Sequence, residues 1–325
     1  MRAIVVEQAG GPEVLQLREW PKPEPRPGWV LIQIKAFGLN RSEMFTRQGH
    51  SPSVRFPRVL GIECVGVVEA APGGEVAPGQ TVAALMGGLG RAYDGGYAEY
   101  TLVPASQVIP LQTDLPWATL AALPETYLTA WGSLFDALEI CAGQTLLVRG
   151  GTSSVGLAAI DLAKGHDLTV LATTRNPARA AILRDAGADE VIIDGGQITE
   201  AVRRARAGGV ERVLDLVGTV TLLDSLRAAA PRGIVCDSGI LGNAWTLPEF
   251  EPLTAIPSTV KLTAYTSETI TVESSTAALQ QIVDGVVAGR YHPRIDRIFR
   301  LEDLVEAHRY MEESQATGKL VVVVG

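Results

Sequence analysis

The stretch LLVRGGTSSVG, residues 146–156, decides the fold predicted for this chain of 325 residues. Its apolar start is typical of a buried strand, the small residues after Arg149 predict a tight turn, and the following LAAIDLAK is typical of a helix. From about Leu115 to Ala288, short apolar strands alternate with helical patterns. Because an alternating βαβα order builds a parallel sheet with helices on both faces, this region is predicted to be a doubly wound α/β domain.

The predicted elements divide the chain into two kinds of region. In the middle region, strands are expected at residues 145–149, 168–173, 190–193, 212–216 and 234–237, and helices at residues 155–164, 178–186, 199–207, 222–230 and 275–288. The first third instead has strand patterns at residues 30–36, 65–71 and 81–85, a Pro-rich connection and several glycine turns. It is predicted to be a β-rich domain, to which the tail, residues 294–325, could return with its apolar LVVVV strand.

The turn after residue 149 predicts a dinucleotide site. In a GxGxxG-like fingerprint, Gly151 would make the tight turn and Gly156 would let the helix approach the sheet. The backbone amides of Ser154 and Val155, at the positive end of the helix, would face a pyrophosphate. Ser153 replaces the middle glycine, but serine is small and its hydroxyl could donate to a phosphate oxygen. A Gly/Ser turn in an ordinary α/β protein is the alternative.

The next predicted strand indicates which dinucleotide would bind. Folds that bind NAD usually place an acid about 20 residues past the fingerprint, on the ribose hydroxyls. Here that segment reads ATTRNPAR, residues 172–179, and contains no acid. Thr174, Arg175 and Arg179 are predicted to bind a 2′-phosphate, because guanidinium groups form paired hydrogen bonds with phosphate oxygens. The sequence therefore favours NADPH; two solvated arginines at the start of a helix are the alternative.

Composition restricts the other classes of function. The net charge of −8 argues against nucleic acid as a partner, since phosphate binding needs a basic surface. Hydrophobic residues make up 46% of the chain and charged residues 20%, which favours a folded core over disorder. The cysteines, Cys64, Cys141 and Cys236, are widely spaced, and no apolar run reaches the roughly 18 residues of a membrane span. A soluble cytoplasmic protein without membrane contact is expected.

Further segments, taken in chain order, form a recognisable set. They are GLN (38–40), LGIE with GVV (60–63 and 66–68), GGYAEY (95–100), TYLTAW (126–131), NPAR (176–179), LEDLVEAH (301–308) and GKLV (318–321). Together they resemble the medium-chain dehydrogenase/reductase superfamily, in its zinc-independent quinone oxidoreductase (zeta-crystallin-like) branch. The resemblance implies a GroES-like catalytic domain, residues 1–122 and 291–325, and a Rossmann dinucleotide-binding domain, residues 123–290. It also implies a homodimer joined through an edge strand of the Rossmann sheet, expected at residues 260–265.

The residues that ligate zinc in the superfamily's zinc branch are replaced in this sequence. That branch has a Cys in the segment that here reads GLN, and a His where Ile62 stands. Isoleucine cannot ligate zinc, Asn40 would be a poor ligand, and Cys64 with Glu63 could hold a metal only weakly. No metal is therefore expected. Because no Lewis acid would stabilise an alkoxide, a hydride is better delivered to an electron-poor acceptor such as a quinone or a conjugated enone.

The resemblance also implies roles for individual residues, each of which has an ordinary structural role as its alternative. Thr129 would meet the nicotinamide, and Val155 would press on the other face of the ring. Asn40 would hydrogen-bond the acceptor carbonyl or the ribose, and Tyr127 is a candidate phenol, because Phe45 stands where many relatives have a Tyr. Further cofactor contacts are expected at the strand ends, where this fold binds ligands, and near the C-terminus, from Val217, Gly218, Ser238, Gly239 and Lys319.

The function expected from these patterns is NADPH-dependent reduction of a quinone or another electron-poor conjugated carbonyl, without zinc. One alternative is an enoyl thioester reductase, which would share the cofactor, the fold and the hydride step. A second alternative is a non-catalytic NADPH-binding sensor, since the sequence offers no clear acid–base residue and Ser153 departs from the fingerprint.

Overall fold

The computed structural model describes residues 1–325, which form two compact units. The first unit contains Met1–Leu128, Glu268–Ala288 and Pro293–Gly325, and the second contains Thr129–Ser267 and Gly289–His292. The predicted division, 1–122 with 291–325 and 123–290, differs from these units mainly at residues 268–288. One reason is that the Gln280 side chain exchanges two hydrogen bonds with the backbone of Gln112, at 2.9 and 3.0 Å, which joins this segment to the first unit.

The first 131 residues contain mostly short strands. In chain order they form β1 (Arg2–Val6), β2 (Gln16–Glu19), β3 (Trp29–Gly38), α1 (Arg41–Arg47), β4 (Arg58–Val59), β5 (Glu63–Ala70), β6 (Thr81–Leu85), β7 (Tyr100–Pro104), β8 (Val108–Pro110), α2 (Trp117–Ala121) and α3 (Pro124–Trp131). The strands predicted at residues 30–36, 65–71 and 81–85 are β3, β5 and β6. A π-helical turn, Gly132–Ala137, follows α3.

The following region alternates strands and helices. It contains β9 (Thr145–Arg149), α4 (Ser154–Lys164), β10 (Thr169–Thr174), α5 (Ala180–Asp185), β11 (Glu190–Ile193), α6 (Thr199–Ala205), β12 (Val210–Asp215), α7 (Thr219–Ala228), β13 (Ala229–Asp237), α8 (Pro252–Ala255) and β14 (Lys261–Ala264). The strands predicted at residues 145–149 and 190–193 agree with β9 and β11 residue for residue. The last elements of the chain are α9 (Val272–Val287), β15 (Ile295–Arg300), α10 (Leu304–Glu312) and β16 (Lys319–Val323).

The second unit is built on one parallel sheet of six strands. Their order is β11-β10-β9-β12-β13-β14, so the chain builds outwards from β9 in one direction and then, from β12, in the other. Leu147, Val213 and Val235 belong to the apolar cluster on one face of this sheet. The predicted doubly wound α/β fold is confirmed. Folds of this class bind ligands at the carboxyl ends of the strands where the strand order reverses, which here is between β9 and β12.

The first unit contains two sheets. One has the order β2-β1-β4; in the other, β15-β16-β3-β5-β6-β8 are consecutive and β7 pairs with β3. The C-terminal strand β16 pairs antiparallel with β3, where Val322 lies opposite Phe37. Leu304, Leu320 and Val322 are buried in the same apolar core as the N-terminal strands. The tail therefore returns to this β-rich unit, as its apolar pattern suggested.

Candidate functional site

The turn between β9 and α4 is a tight strand-to-helix connection, and its backbone corrects one detail of the sequence prediction. The residue with left-handed backbone is Gly150, at φ +84°, and not Gly151. The Gly150 amide donates to the Thr173 hydroxyl and the Gly151 amide donates to the Thr173 carbonyl, both at 3.1 Å. Gly151 lies in a tightly packed place, because a Cβ there would lie 3.1 Å from Leu183 and 3.2 Å from Ala172. Gly150 is thus favoured by its backbone conformation and Gly151 by its close neighbours.

Gly156 and Ser153 hold the helix against the turn. A Cβ on Gly156 would lie 2.6 Å from the carbonyl oxygen of Gly150, so only glycine allows this approach, as predicted. Ser153 is the N-cap of α4: its hydroxyl accepts from the Gly156 amide at 3.1 Å and donates to the Gly150 carbonyl at 2.8 Å. That hydroxyl hydrogen is therefore engaged within the turn, and its donation to a phosphate stays a prediction. The serine that departs from the fingerprint closes the turn.

Two backbone amides remain at the N-terminus of α4. A helix leaves the first N–H groups without intrahelical partners, and here the Ser153 cap satisfies the amide of Gly156. The amides of Ser154 and Val155 lie in the first turn of this 11-residue helix. Amides in this position attract anions, because the positive end of the helix dipole adds to their own polarity. The geometry is that of a candidate phosphate site.

The end of β10 carries the arginines that the sequence singled out. Arg175 is exposed and Arg179 is half-buried, and between them the Asn176 side chain caps the short turn Pro177–Arg179 by accepting from the Ala178 amide at 3.0 Å. The hydroxyl of Thr174 is buried and accepts from the Asn176 amide at 3.2 Å, so it shapes the turn. The structure thus brings the two arginines to the same strand end, four residues apart.

The next two strand ends contain the other residues predicted to contact a cofactor. Val217 and Gly218 follow β12, and their amides donate to Asp215 Oδ1 at 2.8 and 3.1 Å. Ser238 follows β13 and its hydroxyl donates to the Tyr265 carbonyl at 3.1 Å. These amides and this hydroxyl are therefore engaged within the protein. A ligand at this edge of the sheet would therefore contact the backbone of the turns after β12 and β13 rather than these donors.

A Cβ on Gly239, the remaining residue of this group, would lie 2.4 Å from the carbonyl oxygen of Leu216. Glycine is therefore needed there to bring the turn after β13 against the turn after β12.

A buried arginine beside the turn was missed by the sequence analysis. Arg149 is fully buried, and its guanidinium makes a two-point contact with Asp194, Nε to Oδ2 at 2.8 Å and Nη2 to Oδ1 at 3.1 Å. It also donates to Asp224 at 2.9 Å and to the Gly196 carbonyl at 2.9 Å. The guanidinium joins β9, α7 and the segment after β11. An arginine ending an otherwise apolar strand was the available signal.

A polar cluster occupies the first unit at the segment where the zinc branch has its ligands. The Lys319 ammonium bonds to Glu63 Oε1 at 2.7 Å and to Asn40 Oδ1 at 2.6 Å, and both charged side chains are at most 2% exposed. Asn40 Nδ2 donates to Glu63 at 2.9 Å, and the Asn40 amide donates to Glu43 at 3.0 Å. This four-residue arrangement of Asn40, Glu43, Glu63 and Lys319 is called the lysine cluster below.

The lysine cluster corrects two sequence expectations. Both ends of the Asn40 carboxamide are engaged in it, by Glu63 and by Lys319, so this side chain is not poised for an acceptor carbonyl. Lys319 is buried against Glu63, so its ammonium is not presented to cofactor phosphates. Burial raises the pKa of Glu43 to about 7, although the Ile62 amide donates to its carboxylate at 3.1 Å. The cluster is thus a buried, nearly closed network.

Tyr127 and Thr129 both lie in α3 and are buried, at 2% and 8% exposure. Tyr127 falls in the first unit and Thr129 in the second. The Thr129 carbonyl accepts from the Ser133 hydroxyl at 2.7 Å, across the start of the π-helical turn. Burial agrees with an ordinary packing role for the Tyr127 ring, and a proton-donor role for its phenol stays a prediction.

The side chains that could ligate a metal are dispersed. No group of three or more His, Cys, Asp or Glu side chains that could hold an ion occurs in residues 1–325. Cys64 lies within β5, and burial raises the pKa of its thiol to about 12, which keeps the sulfur protonated. It is a small core residue, in agreement with the sequence interpretation.

None of the helices combines the length and the apolar character needed to cross a membrane.

Known proteins resemble this chain over its whole length. The family model of the alcohol dehydrogenase GroES-like domain matches residues 26–113, and that of the zinc-binding dehydrogenases matches residues 186–322. Human quinone oxidoreductase is 30% identical over 333 residues, which cover 100% of this chain and 98% of that protein.

Two solved structures share the fold. The quinone oxidoreductase of Pseudomonas syringae superposes with a TM-score of 0.90 at 25% identity, covering 99% of both chains. The mycobacterial protein Rv1454c, solved in complex with NADPH, superposes with a TM-score of 0.87 at 29% identity, again covering 99% of both chains.

Proposed function

Because the chain belongs to the medium-chain dehydrogenase/reductase superfamily, in its quinone oxidoreductase branch, and is an oxidoreductase that acts on a small molecule, we propose that it uses NADPH to reduce quinones or other electron-poor conjugated carbonyls without zinc. The single observation that carries the choice of cofactor is the end of β10, where Arg175 and Arg179 stand and no acid follows. A carboxylate there would repel a 2′-phosphate, whereas two guanidinium groups attract it. The complex of Rv1454c with NADPH supports the same choice.

The turn after β9 is the proposed binding site of the diphosphate. The diphosphate can approach the backbone of this turn closely because it has no side chain at Gly150, Gly151 and Gly156. The amides of Ser154 and Val155 supply the hydrogen-bond donors. The bound reduced nicotinamide would supply the hydride. The turns after β12 and β13, with Val217, Gly218, Ser238 and Gly239, are proposed to hold the nicotinamide half, since the second half of this fold binds the second mononucleotide. We propose that Thr129 contacts the same half.

Zinc independence is supported by the lysine cluster. Ile62 offers no ligand atom, and the carboxylate of Glu63 is already paired with the ammonium of Lys319. A divalent ion would have to displace that ammonium from a site that is almost fully buried, which is costly because it would separate a buried ion pair. Without a Lewis acid, quinones and conjugated carbonyls are the fitting acceptors, because the charge of their product anion is delocalised. The proton then comes from water.

Steady-state rates with matched acceptors test the proposed function. Purified protein is assayed with NADPH or NADH against 1,4-benzoquinone, a conjugated enone and a crotonyl thioester, with and without EDTA. We expect NADPH oxidation with the quinone or the enone, a slower rate with the thioester and no loss of activity with EDTA.

Each contrary outcome of this assay has its own meaning. Faster turnover of the thioester would instead make the chain an enoyl reductase. NADPH binding without oxidation by any acceptor would make it a sensor, and dependence on bound zinc would overturn the proposal.

We also propose a cytoplasmic homodimer, consistent with the free thiols of Cys64, Cys141 and Cys236. The strand predicted at residues 260–265 is β14, which lies at one edge of the parallel sheet and pairs within the chain with β13. An edge strand exposes unpaired backbone groups that a second copy can complete. The Tyr265 amide donates to the Asp237 carbonyl of β13, so by alternation the Ala264 amide faces the open edge. Sedimentation of the wild type and of an Ala264→Pro variant would test this: the variant is expected to be monomeric, and an unchanged dimer would exclude β14 as the interface.

A further inference from the structure

A row of ionisable side chains lies along the carboxyl edge of the parallel sheet. Arg149, Asp215 and Asp237 are the last residues of β9, β12 and β13, and Asp215 is in register with both of the others. Each follows by two positions a residue of the apolar cluster on one face of the sheet. Because side chains on a strand alternate between faces, all three belong to that same face. The row therefore begins at the end of β9, beside the candidate dinucleotide turn, and continues across the ends of β12 and β13.

The first two charges of this row are compensated locally. The guanidinium of Arg149 is shared by the carboxylates of Asp194 and Asp224, at 2.8 and 2.9 Å. Asp215 is fully buried, and it accepts from the hydroxyls of Thr221 at 2.9 Å and Ser225 at 2.6 Å, in addition to two backbone amides. The oxygens of Asp215 therefore have several hydrogen-bond donors around them.

Asp237 lacks such compensation. Its side chain is half-buried, and its Oδ1 is shielded from solvent and has no hydrogen-bond partner. Burial and, to a smaller extent, the like charge of Asp215 raise the pKa of Asp237, the Gly239 amide opposes them, and the resulting pKa is about 6. A carboxylate that is costly to ionise in the free protein would gain from any positive charge brought near it.

The topology defines what would come near Asp237. In the doubly wound fold, each half of the sheet binds one half of the dinucleotide. Arg175 and Arg179 assign the half made of β9, β10 and β11 to the adenosine part, so the edge formed by β12 and β13 faces the nicotinamide part. Oxidised nicotinamide carries a positive charge on its ring, and reduced nicotinamide does not.

We propose that the carboxylate of Asp237 makes the protein bind the oxidised cofactor selectively, by offsetting the positive charge of the nicotinamide ring. The inference rests on the proposed function and deepens it. When a hydride leaves the reduced ring with both bonding electrons, the ring gains one positive charge, and the acceptor takes the hydride and then a proton from water. Asp237 stabilises the positively charged, oxidised nicotinamide ring, so it favours hydride donation and slows release of the oxidised cofactor.

The test compares two affinities in three proteins. NADP⁺ and NADPH dissociation constants are measured at pH 8 by titration calorimetry for the wild type, for Asp237→Asn and for Asp185→Asn, an exposed aspartate on α5 that serves as the control. In Asp237→Asn we expect the ratio of the NADP⁺ to the NADPH constant to rise about tenfold, equivalent to about 30 mV for a two-electron couple. The control is expected to keep the wild-type ratio.

A pH series of the same ratio provides a second, independent measurement. As the pH falls from 8 to 5, Asp237 becomes protonated in the wild type, so NADP⁺ affinity is expected to fall relative to NADPH affinity until the ratio approaches that of Asp237→Asn. Titration of the 2′-phosphate affects both cofactors and cancels in the ratio. Other groups near the row, Arg149, Asp194, Asp215 and Asp224, are present in both proteins, so the variant's own profile corrects for them.

The outcomes separate this inference from the proposed function. An unchanged ratio in a folded Asp237→Asn variant, or a flat wild-type profile between pH 8 and 5, would overturn the role of Asp237. The pH profile decides the matter if the variant does not fold. Failure of the wild type to bind either cofactor would instead overturn the proposed function.

Discussion

At the scale of single residues, Arg175 and Arg179 are the side chains on which the proposed choice of NADPH depends. The double variant Arg175→Ala/Arg179→Ala is expected to lose about 2–4 kcal/mol of NADPH binding, the scale of two hydrogen bonds between charged groups, and to leave NADH binding nearly unchanged. Fluorescence titration with both cofactors measures this. Arg184→Ala, an exposed arginine on α5, is the control and should change neither affinity. Equal losses for NADPH and NADH would contradict a 2′-phosphate site.

Residue identity alone did not reveal which polar groups are already engaged. The sequence marked Ser153, Asn40 and Lys319 as groups that could meet a ligand, and the structure engages all three internally. Their partners are set by tertiary contacts: Lys319 meets Glu63 across 256 positions of sequence. Arg149 was missed for the same reason, since its partner Asp194 lies 45 positions away. Sequence patterns locate a polar side chain on an element, but its hydrogen bonds depend on the fold.

At the scale of one element, the close approach of α4 to β9 depends on Gly156. Gly156→Ala would place a Cβ 2.6 Å from the Gly150 carbonyl, so the helix must shift outwards and carry the Ser154 and Val155 amides with it. We expect a loss of about 1–3 kcal/mol in unfolding free energy, typical of overpacking, and at least a roughly tenfold weaker NADPH affinity, a change of 1.4 kcal/mol. Urea unfolding and titration calorimetry measure the two quantities.

The control for this prediction is Gly195→Ala, because a Cβ at Gly195 meets nothing within 4 Å. It should leave both stability and affinity unchanged. If Gly156→Ala bound NADPH as tightly as the wild type, α4 would not be the diphosphate site.

Elements themselves were predictable where their apolar pattern is clear. The runs of β9 and β11 are bounded by turn residues, and both ends agree with the structure. The start of α7 was missed by three residues, because Gly218, at φ +96°, begins the helix before its first apolar pair, Leu222 and Leu223. The tight turn after β9 was predicted as a whole, although its left-handed glycine is Gly150. Spacing predicts the presence of such a turn better than the conformation of each residue in it.

At the scale of the whole molecule, the sequence predicted two domains and a returning tail and placed α9 with the middle of the chain, whereas α9 lies in the first compact unit. The alternation of strands and helices seemed to continue through Val272–Val287, and nothing local indicates that this helix packs on the first unit. The contact that joins it there, between Gln280 and Gln112, spans 168 positions. Membership of a compact unit is decided by such contacts, which periodicity does not contain.

The ion pair between Lys319 and Glu63 joins the last strand of the chain to β5, so the integrity of the first unit is expected to depend on it. Lys319→Met should cost about 3–5 kcal/mol of unfolding free energy, because it leaves a buried carboxylate without its cation. Adding Glu63→Gln should recover part of this loss, since the unpaired charge is then removed. Arg297→Met, in the exposed pair with Glu306, is the control and should have a small effect. Urea unfolding of the wild type, both single variants and the double variant gives the coupling energy. A double variant no more stable than Lys319→Met alone would mean that lost packing of the lysine stem, and not the unpaired charge of Glu63, destabilises the unit.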